Sequence, residues 1–423
     1  MPICALVHVV RARFATLVAV ALLAMPAGCG RGPAPTLLDT PAAPGASLPR
    51  LSTDPDGAVW LSWVEQGDAA HALRFSAFDA GSWGPARTAA EGSDWFVNWA
   101  DFPSVVHLGA GRMAAHWLRK VDGGTYAYHV QMAVSTDGGA HWSTPLAPHA
   151  DSSPTEHGFV TLFPQAGGVG AVWLDGRNTG GGHDAGHMTD AGHPSGHDDV
   201  SGHGAMSLRA GGLDWSGARL PEAELDAMTC DCCPTAAARV PDGVVVVYRD
   251  RTTDEIRDIR ATTLGPDGWS RTVPVADDGW EMPACPVNGP AVAARGIRVA
   301  AAWFTAAGGT PRIRLAFSPD SGRSWEPAIE VADGAVLGRV AVVMPDEDSA
   351  VVSWLEQSRG RAEIRFRRIS RGGDAGPAYK LAATVAARSS GFPQMALVGD
   401  RLLFAWTAVG EPSTVRSATA PLP

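Results

Sequence analysis

The stretch PRLSTDPDGAVWLSW, Pro49 to Trp63, decides the fold because its pattern returns six more times along the chain. It combines a short apolar strand, a turn containing Gly or Asp, and a second apolar strand that closes on an aromatic residue. Five of the six steps between closing aromatics are 51 to 56 residues, and one is 75. A fixed period of this length indicates a repeat architecture. The closing aromatics are Trp63, Trp117, Trp173, Tyr248, Trp303, Trp354 and Trp406.

Each copy continues with an alternating strand, such as ALRFSAF (72–78), and then a segment containing Trp and Pro, such as WGPARTAA (83–90). Four short strands per period, with no amphipathic helical stretch, predict an all-β protein: a β-propeller whose blades have four antiparallel strands. Seven copies favour seven blades, although six remains an alternative. The last copy is short, so a strand at residues 36–40 is expected to complete its blade.

Two turns, STDGGAHW and SPDSGRSW, share the pattern S-x-D-x-G-x-x-W. The Asp and Ser side chains can bond the turn backbone, Gly can adopt a positive φ, and Trp can bury its ring. This pattern resembles the Asp-box of the sialidase and BNR-repeat propellers, a resemblance that implies a sialidase-like fold, six blades and a structural role for these turns. The residues concerned are Ser135, Asp137, Gly139 and Trp142, and Ser318, Asp320, Gly322 and Trp325.

The first 47 residues predict export and anchoring. Residues 1–28 have the layout of a signal peptide, in which Arg11 and Arg13 precede a short apolar run and small residues. The ending PAGC resembles a bacterial lipobox, which implies lipidation at Cys29. Residues 29–47, rich in Pro, Ala and Gly, are expected to form a flexible tether, with the propeller covering 48–423. We therefore expect an exported lipoprotein on a bacterial membrane, facing the periplasm or the cell surface.

The charge balance limits the partners. The formal net charge is −10, and removal of the signal peptide makes it more negative by two. An acidic protein is not expected to bind nucleic acid or an anionic membrane surface. Membrane contact is therefore expected only through the lipid anchor, and the charge gives no indication of the oligomeric state.

Two sets of loops are expected to share one face of the propeller. In an antiparallel blade, the start of the first strand and the end of the second lie at the same edge. Polar side chains in loops such as NWADFPS (98–104) and WLDGR (173–177) should therefore converge there. We predict catalytic carboxylates at Asp101, Glu156 and Asp250, and ligand-binding residues at Arg119, Asp175, Arg177 and Arg249.

The sialidase resemblance implies a function for this face. Enzymes of that family hold a substrate carboxylate with three arginines, and use a Tyr activated by Glu as nucleophile and an Asp as acid/base. The expectation is a glycoside hydrolase related to exo-sialidases, or a glycan-binding protein, with a glycan or small-molecule ligand. The family's F/Y-R-I-P motif is missing, since the corresponding strand reads SLPRLS (47–52) with no arginine before the proline.

The long step contains an insertion, residues 178–204, in which five histidines each follow a glycine. Imidazoles interleaved with aspartates are ligands for zinc or copper. This pattern supports an alternative, non-enzymatic function: metal binding, or the docking of a protein partner. The histidines are His183, His187, His193, His197 and His203.

The stretch TCDCCPT, Thr229 to Thr235, places Cys230, Cys232 and Cys233 in one loop before the fourth repeat, and Cys285 precedes the fifth. Export favours disulfides, and the pairing 230–233 with 232–285 is the least strained. The same four sulfurs are also candidate ligands for Cu(I) or zinc. A redox C-x-x-C pair is a third interpretation, without the βαβ context usual for thioredoxins.

Overall fold

The computed structural model describes residues 34–180 and 204–423, and their strands form seven sheets, the blades of a propeller. Strand β1 covers Thr36–Leu38. Blade 1 holds β2 (Ala46–Thr53), β3 (Val59–Gln66), β4 (His71–Asp79), β5 (Ser82–Trp83) and β6 (Arg87–Gly92). Blade 2 holds β7 (Ser104–His107), β8 (Met113–Lys120) and β9 (Tyr128–Ser135). Blade 3 holds β10 (His157–Gln165), β11 (Gly168–Asp175), β12 (Ser207–Asp214) and β13 (Ala223–Asp226).

The remaining blades follow in chain order. Blade 4 holds β14 (Ala236–Val240), β15 (Gly243–Arg249), β16 (Ile259–Gly265), β17 (Gly268–Trp269) and β18 (Val273–Ala276). Blade 5 holds β19 (Ala291–Arg295), β20 (Arg298–Thr305), β21 (Arg312–Ser318) and β22 (Ile329–Asp333). Blade 6 holds β23 (Val336–Asp346), β24 (Ser349–Ser358), β25 (Arg361–Ser370) and β26 (Tyr379–Thr384). Blade 7 holds β27 (Gln394–Val398), β28 (Arg401–Ala408) and β29 (Thr414–Pro421), together with β1.

Helix is almost absent from the described part of the chain. It consists of two 3-10 turns, Ala307–Gly309 and Arg388–Ser390. Neither is long or apolar enough to cross a membrane.

The seven predicted strand pairs are the first two strands of the seven blades, which confirms the propeller and decides for seven blades among the described residues. Their closing aromatics are all buried, from 0% to 6% exposed. One buried aromatic side chain removes about 150–250 Å² from water. At about 25 cal/mol per Å² this contributes about 4–6 kcal/mol per blade, before the conformational entropy cost.

The last blade is closed by the N-terminal strand. β1 pairs antiparallel with β29, with Thr36 opposite Thr419 and Leu38 opposite Ser417. The strand predicted at 36–40 is therefore confirmed, and these residues belong to the propeller although they fall within the tether predicted for 29–47. The β2 strand also begins earlier than predicted, at Ala46. The segment TLL forms a strand because β29 supplies hydrogen-bond partners for its backbone. Without β29 those backbone groups would bond to water.

The two S-x-D-x-G-x-x-W turns carry the hydrogen bonds that their side chains allow. In the first, the Ser135 hydroxyl donates to Asp137 Oδ1 and accepts from the Gly139 amide, both at 2.9 Å. Gly139 has φ +80°, and a Cβ there would lie 2.8 Å from Phe75 Cζ. The Trp142 ring packs edge-on against Phe75. Each turn therefore joins its blade to the preceding one, away from the inner-strand starts.

The second turn repeats this geometry. Ser318 Oγ donates to Asp320 Oδ1 and accepts from the Gly322 amide, again at 2.9 Å. A Cβ at Gly322 would lie 2.5 Å from Val245 Cγ2 in the preceding blade. Trp325 packs against the core between blades 4 and 5. The likeness of both turns to Asp-boxes stays a resemblance. Their structural role follows from the hydrogen bonds and contacts between blades described above.

Candidate functional site

A pocket opens between the first strands of blades 1 to 4. Its cavity volume is about 20 Å³, which is room for about one or two water molecules. We call it the central pocket. Its wall is formed by Arg50, Ala100, Asp101, Phe102, Ser104, His116, Phe159, Val160, Pro234 and Thr235.

Backbone bulges shape this pocket. The inner strands β2 and β10 each change register near their first residues, between Ser47 and Arg50 and between Gly158 and Thr161. Leu48 and Phe159 adopt φ 57° and 54° inside these bulges. A bulge bends its strand and re-aims the side chains that follow. Both strands therefore leave the regular ladder where they line the pocket.

Arg50 is the cation of the pocket, and its guanidinium has no hydrogen bond or ion pair with any other described residue. Burial lowers its pKa from the ordinary value. An arginine stays protonated under such a shift, so this part of the wall carries a positive charge with no ion-pair partner among the described residues. A partly buried charge without a partner is costly, and an anionic ligand would reduce that cost.

His116 is a second polar group of the wall with unused bonding capacity. Its Nδ1 lies 3.0 Å from Ser104 Oγ, and its Nε2 is buried with no hydrogen-bond partner among the described residues. Burial and the charge of Arg50 lower the pKa of His116 to about 3, although the Phe102 carbonyl acts in the opposite sense. The imidazole is therefore neutral at physiological pH and can offer Nε2 to a ligand.

Asp101 on the pocket wall is joined to Glu156 through a buried tyrosine. The Tyr128 hydroxyl lies 2.8 Å from Asp101 Oδ2 and 2.6 Å from Glu156 Oε1. The Phe159 amide donates to Asp101 Oδ1 at 2.7 Å. We call Asp101, Tyr128 and Glu156 the carboxyl triad. Two carboxylates predicted from sequence as catalytic are thus brought together, by a residue that was not predicted.

The carboxyl triad holds one more proton than it would with both carboxylates ionised. A phenol has one proton to donate, so only one carboxylate can accept from Tyr128. The other must donate its own proton to the phenol oxygen. Burial raises the pKa of Asp101 to about 7 and that of Glu156 to about 8. The amide bond from Phe159 favours ionised Asp101, so Glu156 keeps the proton near neutral pH.

Gly158 makes the approach of Asp101 to β10 feasible. A Cβ at this position would lie 1.9 Å from Asp101 Oδ2 and 2.9 Å from Tyr128 Cε2. No real side chain fits these distances. The glycine in TEHGFV is therefore required by the close packing of the carboxyl triad.

Asp175 and Arg177 are also brought together, but they form a separate network. Arg177 donates twice to Asp175, from Nε at 2.8 Å and from Nη2 at 2.7 Å, and it also contacts Glu222 at 2.7 Å. Asp175 Oδ2 accepts from the indole of Trp173 at 2.7 Å. Hydrogen bonding from Arg177 offsets burial, so the pKa of Asp175 falls to about 2. The Asp175 carboxylate oxygens therefore accept hydrogen bonds from Trp173 and Arg177, and Asp175 has a structural role.

The Trp173 to Asp175 contact belongs to a pattern of the repeat. The closing Trp63 donates its indole N–H to Glu65 at 3.1 Å, and Trp354 donates to Glu356 at 3.0 Å. In each case the acceptor stands two residues after the aromatic. An acidic residue two positions after the closing Trp of a repeat is therefore a structural acceptor in these three blades, and this signal could have separated Asp175 from ligand-binding residues.

Three buried histidines pack beside this network. His149 stacks on His157 with ring centroids 4.2 Å apart, and His129 meets both rings edge-on. His157 Nε2 lies 3.0 Å from Asp151 Oδ2. Burial and the neighbouring histidines lower the pKa of His149 to about 3. The spacing of these three histidines in the sequence does not predict that they pack together.

The other predicted residues lie apart from the central pocket. Arg249 is buried, and its guanidinium donates to the carbonyl oxygens of Asn288, Arg257 and Phe304 at 2.6–2.9 Å. This use of its donors makes it a support for neighbouring loops. Asp250 accepts from Arg260 at 2.6 Å, and burial raises its pKa to about 6. Arg119 is exposed at the end of β8.

The cysteine loop lies beside Arg249. Cys232 and Cys285 form a disulfide with a Cα–Cα distance of 6.0 Å, which confirms that part of the predicted pairing. Cys230 and Cys233 are buried thiols whose sulfurs lie 2.7 Å apart. Arg257 Nη1 donates to Cys230 Sγ at 3.3 Å. Burial acts to raise the pKa of Cys230, but bonding from Cys233 and the arginine charge outweigh it and lower the pKa to about 7.

The metal prediction stays open at both of its locations. The sulfurs of Cys230, Cys232 and Cys233 lie within 4.8 Å of one another, a spacing that could hold an ion. The disulfide occupies one of them, and the charge of Arg257 opposes a cation. The five histidines predicted as ligands, His183 to His203, lie outside the described residues.

Arg50, His116 and Tyr128 were missed from sequence. Arg50 stands in SLPRLS, where the family motif would place its arginine before the proline. His116 and Tyr128 lie within β8 and β9, whereas the predicted site residues come from loops and strand ends. The sequence did contain a signal for His116 and Tyr128, because a polar side chain inside a strand that is buried on both faces needs a hydrogen-bond partner.

No family model matches the chain, and no curated protein matches it. Solved structures with a similar fold include the α-L-arabinofuranosidase Arb93A of Fusarium graminearum, at 12% identity and TM-score 0.45, over 92% of this chain and 97% of that chain. The endosialidase of phage phi92 has 9% identity and TM-score 0.48, over 92% and 69%. A puromycin-hydrolysing peptidase of Mycobacterium tuberculosis has 12% identity and TM-score 0.46, over 88% and 51%. At such identities the likeness concerns the fold alone.

Proposed function

We propose that the central pocket binds the carboxylate of an acidic glycoside and that the carboxyl triad supplies acid/base catalysis for its hydrolysis. One observation carries the proposal: an arginine without a protein partner lines the same pocket as a carboxyl group that shares a proton. The cation supplies the binding of an anion, and the shared proton supplies a general acid.

Each residue has a distinct part. Arg50 would pair with the ligand carboxylate, and His116 Nε2 would bond a second ligand atom. Asp101 is the member of the carboxyl triad on the pocket wall. Because it is ionised at rest, it would first receive the Glu156 proton through the Tyr128 hydroxyl and then donate it to the leaving-group oxygen of the substrate. Tyr128 is fully buried with its hydroxyl enclosed by two carboxyls, which suits a proton relay better than a nucleophile.

The size of the central pocket limits which part of a substrate can enter it. The pocket holds only about one or two waters, which matches a carboxylate group but not a sugar ring. The ring would rest at the pocket rim, with its acidic group inserted.

The test compares acidic and neutral substrates. The full chain is assayed with a fluorogenic α-sialoside, a fluorogenic β-glucuronide and a neutral fluorogenic β-galactoside. We expect hydrolysis of an acidic substrate only. Arg50→Gln should raise KM at least tenfold, because the lost contact is present in the ground state. Asp101→Asn should lower kcat by about 10²–10⁴. Arg416→Gln, at an exposed position on β29, is the matched control.

The outcomes separate binding from catalysis. If calorimetry detects free acidic sugars binding through Arg50 but no glycoside is hydrolysed, the catalytic half is wrong and a binding protein remains. If neutral substrates are hydrolysed and Arg50→Gln has no effect, the role of Arg50 is wrong. Absence of both binding and hydrolysis overturns the proposal.

A further inference from the structure

The four cysteines of the propeller form a compact group at the junction of blades 4 and 5. The disulfide between Cys232 and Cys285 is partly exposed, whereas Cys230 and Cys233 are 0% and 1% exposed. The sulfurs of the three cysteines in the loop lie within 4.8 Å of one another. A buried dithiol thus lies within a short movement of a disulfide that solvent can reach.

The charges around the dithiol favour an anionic sulfur. Arg257 is 3% exposed and donates to Cys230 Sγ at 3.3 Å. Its other donors are fixed by the Met282 carbonyl and by Glu255, both at 2.8 Å. Buried Arg249 adds a second positive charge nearby. The thiolate, not the thiol, is the nucleophile in disulfide exchange, so the loop is arranged to activate Cys230.

We propose that these cysteines form a thiol–disulfide relay in which Cys230 attacks the Cys232–Cys285 disulfide. The Cys230 thiolate bonds to Cys232 Sγ, the bond from Cys232 to Cys285 breaks, and Cys285 leaves with the electron pair. Cys233 then gives up its proton, which neutralises the Cys285 thiolate, and attacks Cys230. The bond from Cys230 to Cys233 forms and Cys232 is released as a thiolate.

The net change is an exchange of two electrons between the two pairs, with no external reactant. The dithiol of Cys230 and Cys233 is oxidised, and the disulfide of Cys232 and Cys285 is reduced. Since Cys232 and Cys285 are the partly exposed members, they are the end that would meet an external thiol or disulfide of low molecular weight. The buried pair then stores or supplies the two electrons.

The decisive variant is Cys233→Ser, which removes the second attacking thiol. The full chain is incubated with a small alkylating agent, quenched in acid and mapped by mass spectrometry. The relay predicts alkylated Cys285 and a bond between Cys230 and Cys232, because alkylation traps the leaving thiol. A purely structural disulfide predicts an intact Cys232–Cys285 bond, and that result would overturn the proposal.

Two further variants complete the design. Cys230→Ser is the matched control, and it should keep the Cys232–Cys285 bond because the attacking thiolate is gone. Alkylation of Cys285 in this variant would contradict the assignment of Cys230. Arg257→Gln combined with Cys233→Ser should slow the trapping at least several-fold, since less thiolate forms. If Cys233→Ser does not fold, Cys233→Ala removes the same thiol without leaving a buried hydroxyl.

Discussion

The extra proton of the carboxyl triad makes a contribution to the stability of this propeller that falls as pH rises, and Glu156→Gln should remove the part of it that comes from Glu156. Burial holds the pKa of Glu156 at about 8 in the folded chain, against about 4.3 for an unfolded glutamate. The folded state therefore binds the proton more tightly. The stabilisation is complete below the unfolded pKa and is lost as pH rises through the interval up to 8.

The size of the change in unfolding free energy follows from the difference between the folded and unfolded pKa values of Glu156. Each unit of difference between the folded and unfolded pKa corresponds to about 1.4 kcal/mol. Between pH 5 and pH 7 the ionised unfolded chain therefore gains about 2.5 kcal/mol relative to folded protein with protonated Glu156. The glutamine side chain of the variant cannot ionise, and its amide can donate to Tyr128 as the protonated acid does. The variant should match the wild type most closely near pH 5 and exceed its stability at pH 7.

The assay is urea denaturation of the wild type and of Glu156→Gln at several values between pH 4.5 and 8. We expect the difference in unfolding free energy to grow by about 2.5 kcal/mol from pH 5 to pH 7. Glu347→Gln, at an exposed site, should leave the pH profile of the wild type unchanged. A difference between Glu156→Gln and wild type that stays constant with pH would refute the shared proton.

Three other predictions concern packing, closure and metal. Gly158→Ala should lower the free energy of unfolding by about 1–3 kcal/mol, because its Cβ would lie 1.9 Å from Asp101 Oδ2. The control Gly84→Ala, whose Cβ would lie 3.6 Å from its nearest neighbour, should lower it little. Equal urea midpoints for the two variants would contradict this prediction. Leu38→Pro should lower the melting temperature of the full chain, since Leu38 lies opposite Ser417 in the ladder to β29 and proline removes its backbone donor; an unchanged melting curve would show that β1 does not close the propeller. Deletion of 180–204 should lower the zinc or copper retained after purification, measured by elemental analysis, and equal retention would count against the histidine-rich insertion as a metal site.

The arrangement of the carboxyl triad shows why sequence reached only part of the site. Asp101 and Glu156 stand in loops that lead into first strands, so the antiparallel repeat was enough to place them at one edge. Tyr128 begins a third strand, where regular packing predicts blade core. Its hydroxyl reaches both carboxyls because the bulge in β10 and Gly158 allow close approach. Register shifts of this kind have no signal in hydrophobic periodicity.

The predicted ligand arginines show the opposite outcome. Arg249 and Arg177 lie at the expected edge, but their donors are used by backbone carbonyls and by carboxylates. Arg50, which was not predicted as a ligand-binding residue, lines the central pocket and has no hydrogen bond or ion pair with any other described residue. Position along the chain tells which side chains share a face. Only the full set of contacts tells which of them still has hydrogen-bonding capacity for a ligand.

The sequence by itself determined the propeller, the phase of its seven repeats and the closing role of the strand near residue 36. These depend on local patterns, since each repeat must bury the same apolar strands and aromatic ring whatever its neighbours are. It also limited the cysteine pairings to three, and the tertiary structure selected Cys232 with Cys285. The tertiary structure alone decided the central pocket, the shared proton and the buried dithiol. Those features arise where separate blades meet, and burial there sets the charge states that no local pattern encodes.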